Sequence, residues 1–375
     1  MTTLLWIILT PIALALLAIG LYFLKAIVQG AIEGLRSSGD EPADYRIPEE
    51  VAAQGFLPRE RQDTDAGDPL PAEAAAAEAA ALAGDWRAAA ALLERQRLTG
   101  DWDRRYQFVN SLAGEAVEED AWLLAWEAAA PEDPDAAVVR ATSTIGLAWA
   151  LRGGALAQDT TSEQFRGFHR TIAVAREQVA RAARLAPADP CPYIEEIWVA
   201  LALGYPHSEM DRLWTEITAR APHHYMAHYA ALQYWCAKWR GSEELATEFA
   251  ERAAASAPPG TLLTALPLFA HFEHDNGPWA CPEGADTPRM RAAVDAALAD
   301  AAAADPTHPY LIAVRNVLAY YLAHQERYEA AVEQFRLVDG RIGVVPWSYH
   351  GDPAEVYLEL RDKAVLQAAR AAGRR

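Results

Sequence analysis

The sequence predicts an all-α fold: helix-turn-helix repeats stacked as a solenoid behind one N-terminal transmembrane helix. Three observations carry this. Alanine-rich stretches such as residues 74–81 and 301–304, with abundant Leu, Glu and Arg, favour helix. No run of alternating β-branched residues exceeds the short stretch at 342–345, which argues against a sheet. Asp-Pro and Ala-Pro dipeptides fall between apolar-periodic runs and mark where helices begin and end.

The first element is the anchor and juxtamembrane segment, residues 1–36. The run from Leu4 to Leu24 is 21 residues without a charge, and a helix of that length spans roughly the 30 Å hydrocarbon core. Trp6 stands near one end, with Tyr22 and Phe23 near the other, where amphipathic rings sit at the interface. Pro11 inside the run is tolerated in a membrane helix. A cleavable signal peptide is the competing reading, with small residues at Val28-Gln29-Gly30; against it, no Lys or Arg precedes a run that is long for a signal. Lys25 and Arg36 follow the run, so the positive-inside rule places the bulk of the chain in the cytoplasm of a single-pass cell-membrane protein.

The second element is a linker, residues 37–71. It is rich in Asp, Glu, Pro and Gly, a composition expected to leave an acidic disordered tether. Tyr45-Arg46-Ile47-Pro48 and Phe56-Leu57-Pro58 read either as docking motifs within it or as residues packed on the edge of the next domain.

The third element is the helical-repeat domain, residues 72–375. Asp133-Pro134, Asp189-Pro190, Asp305-Pro306 and Asp352-Pro353 each set a carboxylate cap before a residue suited to a first helical turn. Pro187, Pro222 and Pro258 follow helix ends at intervals of 35 and 36 residues, close to a 34-residue repeat. Between the last two, the pattern predicts helix over 224–237, a turn at 238–242 with Gly241 left-handed and Ser242 capping, and helix over 243–256. The ordered composition of residues 344–352 predicts a cap over the last repeat, burying Trp347 and Tyr349.

Two segments resemble the tetratricopeptide repeat: Leu82-Ala83-Gly84-Asp85-Trp86 followed by Ala89 and Leu93, and Leu318-Ala319 followed by Tyr328, Ala331 and Phe335. Gln325 stands where that family has its turn glycine, and Arg315 where it has its first-helix tryptophan. The stretch from His223 to His274, with its Lys238-Trp239-Arg240-Gly241-Ser242 turn, also resembles a bacterial domain of unknown function found in tetratricopeptide-like proteins. The resemblance implies a fold and no activity, so no catalytic residue is carried over from it.

Net charge is -19, which disfavours nucleic acid as a partner. The basic residues are nearly all arginine, with lysine only at Lys25, Lys238 and Lys363, a bias expected of a GC-rich bacterial genome. Cys191, Cys236 and Cys281 cannot all pair and read as buried small hydrophobes in a reducing compartment. His224 and His228 share a helix face at the spacing of two metal ligands, and His271 and His274 could complete a site. Tyr225 replaces the glutamate that a zinc-protease motif requires after His224. The bland reading, histidines with satisfied ring nitrogens at helix surfaces and turns, outweighs the metal. Aromatics crowd the middle of the chain; Tyr225, Tyr229, Trp235, Trp239, Phe272 and Trp279 are expected to line a partner-binding groove, although most such rings serve packing between repeats. There is no phosphate-cradling glycine loop, nucleophile elbow or dinucleotide fingerprint. The expectation is a membrane-anchored scaffold that binds a protein or peptide, with no cofactor and no catalysis. The alternative is a metal-dependent hydrolase built on the four histidines.

Overall fold

The computed structural model describes residues 45–65, 69–153, 161–274 and 284–374. The expected anchor, Leu4 to Leu24, lies outside them, as do Trp279 and Cys281. No helix among the described residues is long and apolar enough to cross a membrane. The chain divides into residues 1–48, of which four are described, and a helical body of residues 49–375.

Sixteen α-helices lie among the described residues, so the all-α expectation holds. They are α1 (Glu49–Ala52), α2 (Ala72–Leu82), α3 (Arg87–Thr99), α4 (Trp102–Glu118), α5 (Ala121–Ala129), α6 (Pro134–Arg152), α7 (Ser162–Leu185) and α8 (Cys191–Leu203). Then come α9 (His207–Arg220), α10 (Tyr225–Trp235), α11 (Glu243–Ser256), α12 (Leu266–His274), α13 (Pro288–Ala303), α14 (Leu311–His324), α15 (Tyr328–Val338) and α16 (Pro353–Ala372). Most helices pack on the next in sequence, and α4 on α8, α8 on α10 and α10 on α12 form an inner row. That row curves: the segment before α14 returns to the start of α4, where Tyr310 Oη donates to the Asp103 carbonyl (3.4 Å) and Arg104 Nη2 to Thr307 Oγ1 (2.5 Å).

Two of the four Asp-Pro caps are as expected. Asp133 accepts from the Asp135 and Ala136 amides at the start of α6, and Asp352 from Ala354 and Glu355 at the start of α16. Asp189 does two things: its Oδ1 accepts from the Cys191 amide (2.9 Å) at the start of α8, and its Oδ2 ion-pairs with Arg105 at 2.5 Å, while Pro190 takes the N-cap position. Asp305 starts no helix; it closes a turn by accepting from the Thr307 amide, and α14 begins six residues later. Both carboxylates are drawn to long-range partners that a local rule does not contain: Asp305 also meets Arg104 at 3.6 Å.

The unit from α10 to α11 follows the predicted plan, with Ser242 Oγ accepting from the Leu245 amide. Gly241 has a different reason from the one expected. Its φ is not left-handed; instead a Cβ there would overlap the Trp235 carbonyl. The helix pairs at both repeat-like segments form, with Ala89, Leu93, Ala331 and Phe335 fully buried between neighbours.

Part of the stretch expected to be a disordered linker is structured. Residues 49–65 run as a strap along the far end of the body, with α1 packed on α16 and Asp63 forming a parallel bridge with Arg341. The buried Asp339 carboxylate accepts from the Leu57 amide (2.6 Å), Gln62 Nε2 (2.8 Å) and Tyr357 Oη (3.0 Å). Arg361, with no exposed side-chain surface, donates to the Leu57 carbonyl (2.7 Å), and its guanidinium stacks over the buried Phe56 ring. Arg59 pairs with Asp352 across the same junction. Composition averaged over the stretch hides this, because a few apolar and amide groups find partners nearly 300 residues away.

Residues 343–349 return between the inner row and the last helices. Trp347 is fully buried, its Nε1 donating to Asn316 Oδ1 at 2.6 Å, as the cap reading expects. Tyr349, expected to be buried too, is 45 % exposed, although its hydroxyl is held by Glu273 and Lys238.

Candidate functional site

The curvature of the inner row leaves a pocket of about 370 Å³ where α4, α10, α12 and α14 meet the 343–348 loop. Its wall is almost wholly apolar. Tyr225 stacks on Tyr310 (ring centroids 5.1 Å apart, planes 21° apart), and Tyr229 meets the Phe269 edge at 5.4 Å. Met226, Ala313, Val344 and Val345 fill the remaining wall, and Gln107 and Ser348 bring polar side chains. Helical spacing explains the placement of the tyrosines: Tyr225 and Tyr229 stand four apart on α10 and share the face turned to the pocket. The start of α10 is pinned to α4 by Asp103 Oδ1, which accepts from the Tyr225 amide at 3.1 Å.

Beside the loop that carries Ser348 sits a polar latch whose side chains do not line the pocket. Glu273, its side chain 1 % exposed, accepts from Lys238 Nζ (2.6 Å), Gln233 Nε2 (2.8 Å) and Tyr349 Oη (2.8 Å). Lys238 also donates to Tyr349 Oη at 2.9 Å. The latch thereby joins the turn after α10, the end of α12 and the 347–349 turn. Burial raises the Tyr349 phenol, and Glu273 adds to it. Burial likewise pushes Cys236 up to about 12, with Glu273 again contributing, so that thiol stays protonated and is no nucleophile near neutral pH. Cys191 and Cys236 are both free and buried, as expected.

Of the described residues expected in a partner groove, only Tyr225 and Tyr229 line this pocket. Phe272 is buried behind it, against Tyr320 and Tyr349. Trp235 packs on His207 (4.9 Å) and Trp239 on Trp149 (5.6 Å), among α6, α9 and the turn after α10. Sequence reasoning did not single out Gln107, Met226, Phe269, Tyr310, Ala313 or the valines of the loop. Phe269 belonged to the crowded aromatics, but nothing local ties Tyr310 or Val344 to α10.

The four histidines are engaged elsewhere. His224 is the N-cap of α10, not a residue within it: Nδ1 accepts from the Ala227 amide (3.2 Å), and Nε2 contacts the Trp102 carbonyl (3.2 Å). His228 Nδ1 donates to the His224 carbonyl (2.9 Å) while its ring meets Trp214, and burial lowers its pKa to about 4. His271 hydrogen-bonds Tyr321 Oη (2.8 Å); His274 binds the Ala270 carbonyl through Nδ1 (2.8 Å) and accepts from the Ala237 amide through Nε2 (3.1 Å). Among the described residues no three His, Cys, Asp or Glu side chains converge as a metal ion requires.

Two buried networks hold α4 in place. Arg105, with no exposed side-chain surface, pairs with Asp189 (2.5 Å) and Asp135 (2.7 Å) and donates to the Leu93 carbonyl (2.9 Å). Burial pushes Asp135 up, while Arg105 and Arg97 pull it down. Nearby, Glu195 is held by Tyr106 and by Asn110 Nδ2 (3.3 Å), and burial raises its pKa to about 7. It does not line the pocket.

Comparison of the chain with family models, with curated proteins and with solved structures finds no match.

Proposed function

We propose that the chain is a membrane-anchored helical-repeat scaffold that captures a protein or peptide segment by seating one apolar side chain in the pocket beside Tyr225, Tyr229, Phe269 and Tyr310. The observation that carries the reading is this pocket, its tyrosine and phenylalanine walls and its two polar side chains, Gln107 and Ser348. Rings present large apolar area at little entropic cost, and a hydrophobic recess with few polar groups suits an aliphatic or aromatic anchor residue. The curved row of helices supports it too, since such a row turns leftover side chains toward a concave surface. The anchor rests on the charge-free run from Leu4 to Leu24. No catalysis is assigned, because the histidines are occupied by backbone and aromatic partners and Glu195 lies outside the pocket.

The test is selection of a displayed random peptide library on the full chain and on Ala313→Trp, which fills the recess from its half-buried wall. The reading expects peptides sharing one aliphatic or aromatic anchor, bound by the parent and not by the folded variant. No enrichment, or equal capture by both, would overturn it.

A further inference from the structure

Helix α7 reverses the charge balance of the molecule. The chain has 52 acidic residues against 33 Lys and Arg, whereas α7 carries Arg166, Arg170, Arg176, Arg181 and Arg184 against Glu163 and Glu177. Its apolar face is buried through Phe168, Ile172, Ala175, Val179 and Ala182. Two of the arginines serve the fold: Arg176 lies over the Tyr205 ring, and Arg181 binds the Pro131 carbonyl. Arg166 and Arg170 are exposed, four apart on the outer face, and Val174 follows at the same interval, 50 % exposed.

Beside that row runs an apolar one. Leu147 and Leu151, also four apart, are each 41 % exposed on α6, the antiparallel partner of α7. A Cβ at Gly167 would lie 3.8 Å from Leu151 Cδ1, which fixes the register and sets Leu151 next to Arg166. The edge of the hairpin thus presents Leu147, Leu151 and Val174 together with two outward guanidinium groups. Glu163 and Glu177 are the acidic residues of α7 itself.

We infer that this edge of the α6–α7 hairpin docks on an anionic lipid surface, with Leu147, Leu151 and Val174 entering the headgroup region and Arg166 and Arg170 engaging lipid phosphates. Exposed leucines beside arginines match such an interface: the apolar groups leave water and the cations stay at headgroup level, where each is attracted by the negative surface. An acidic protein partner would use the arginines but has no need of the leucine row. The inference extends the anchored-scaffold reading, since a bilayer is then always within reach, but its test does not depend on the anchor.

The full chain carrying Leu151→Cys is labelled with an environment-sensitive fluorophore and mixed with vesicles of phosphatidylcholine alone or with phosphatidylglycerol added. The unsubstituted chain corrects for the native cysteines, and a label at Leu98→Cys, on the exposed end of α3, is the control. Docking expects emission at 151 to rise at least about twofold with the anionic vesicles only, with no change at 98. Combining Arg166→Gln with Arg170→Gln should weaken this response about thirtyfold, the worth of two arginines at such a surface. Flotation with the neutral vesicles reads the anchor separately, so loss of flotation with retained anionic response would fail the anchor alone. Equal emission in both lipids, an unchanged response in the double variant, or a response to soluble polyglutamate in place of vesicles overturns the inference.

Discussion

Truncating Asp339 to alanine should release the strap without unfolding the rest of the body. The carboxylate accepts from the Leu57 amide, Gln62 Nε2 and Tyr357 Oη at 2.6, 2.8 and 3.0 Å and lies 3.4 Å from Arg361 Nη1. Removing one partner of a buried pair costs about 3–5 kcal/mol, and each orphaned buried donor about 1–3 kcal/mol. Arg361 keeps Asp362 Oδ1 at 2.9 Å and the Leu57 carbonyl, so the lower end applies, about 3 kcal/mol. Local opening of a terminal segment is read by amide exchange. Protection at Leu57 and Gly340 should fall about a hundredfold, while α8 and α10 keep theirs. Asp339→Asn retains one acceptor and should fall between. A loss of less than about threefold at Leu57 would refute the idea that this carboxylate holds the strap.

Gly241→Ala should cost on the order of 1–3 kcal/mol in urea titration, because the new Cβ displaces the Trp235 carbonyl. Arg105→Met leaves Asp189 buried without its cation and Asp135 with only Arg97, 3.4 Å away, and should cost about 3–5 kcal/mol; repeating the titration with Asp189→Asn added should recover part of it. Glu195 has its folded pKa raised to about 7 by burial, so its penalty is absent below the unfolded value near 4.5 and grows as pH rises toward 7. Glu195→Gln is therefore expected to be the more stable protein at pH 8, by up to about 3 kcal/mol, and to match the parent near pH 4.5; a pH-independent difference contradicts this. His228 has the opposite sign: its folded pKa, lowered to about 4, gives stability that is present above about 6.5 and lost as pH falls toward 4, which His228→Phe should abolish in a stability-versus-pH series.

The helices were legible where the signal is local. Asp133 and Asp352 announce α6 and α16 because a carboxylate followed by proline is a complete cap in three residues, and Ser242 does the same for α11. Legibility failed where a side chain answers to a distant one. Asp189 accepts from the Cys191 amide as its place before α8 suggests, but it is also the counter-ion of Arg105, 84 residues earlier, which no local pattern announces. Phe56 and Leu57 sit in an acidic, proline-rich stretch and are fixed by Arg361 and Asp339. The pocket was half readable: the four-residue spacing of Tyr225 and Tyr229 puts them on one face, but Tyr310 and Val344 join them only because the inner row curves back on α4. Trp235 and Trp239, equally prominent in sequence, turn instead toward His207 and Trp149. Aromatic crowding indicates where large side chains pack and does not indicate which of them face a partner.

Site-specific photocrosslinking in native membranes addresses the central claim most directly. With benzoylphenylalanine at Met226, in the pocket wall, the account predicts one or a few discrete adducts that vanish when Ala313→Trp is added, and none of the same species from a probe at exposed Leu98. A Met226 probe that yields no adduct, or the same adducts as Leu98 with or without the filled pocket, would contradict it.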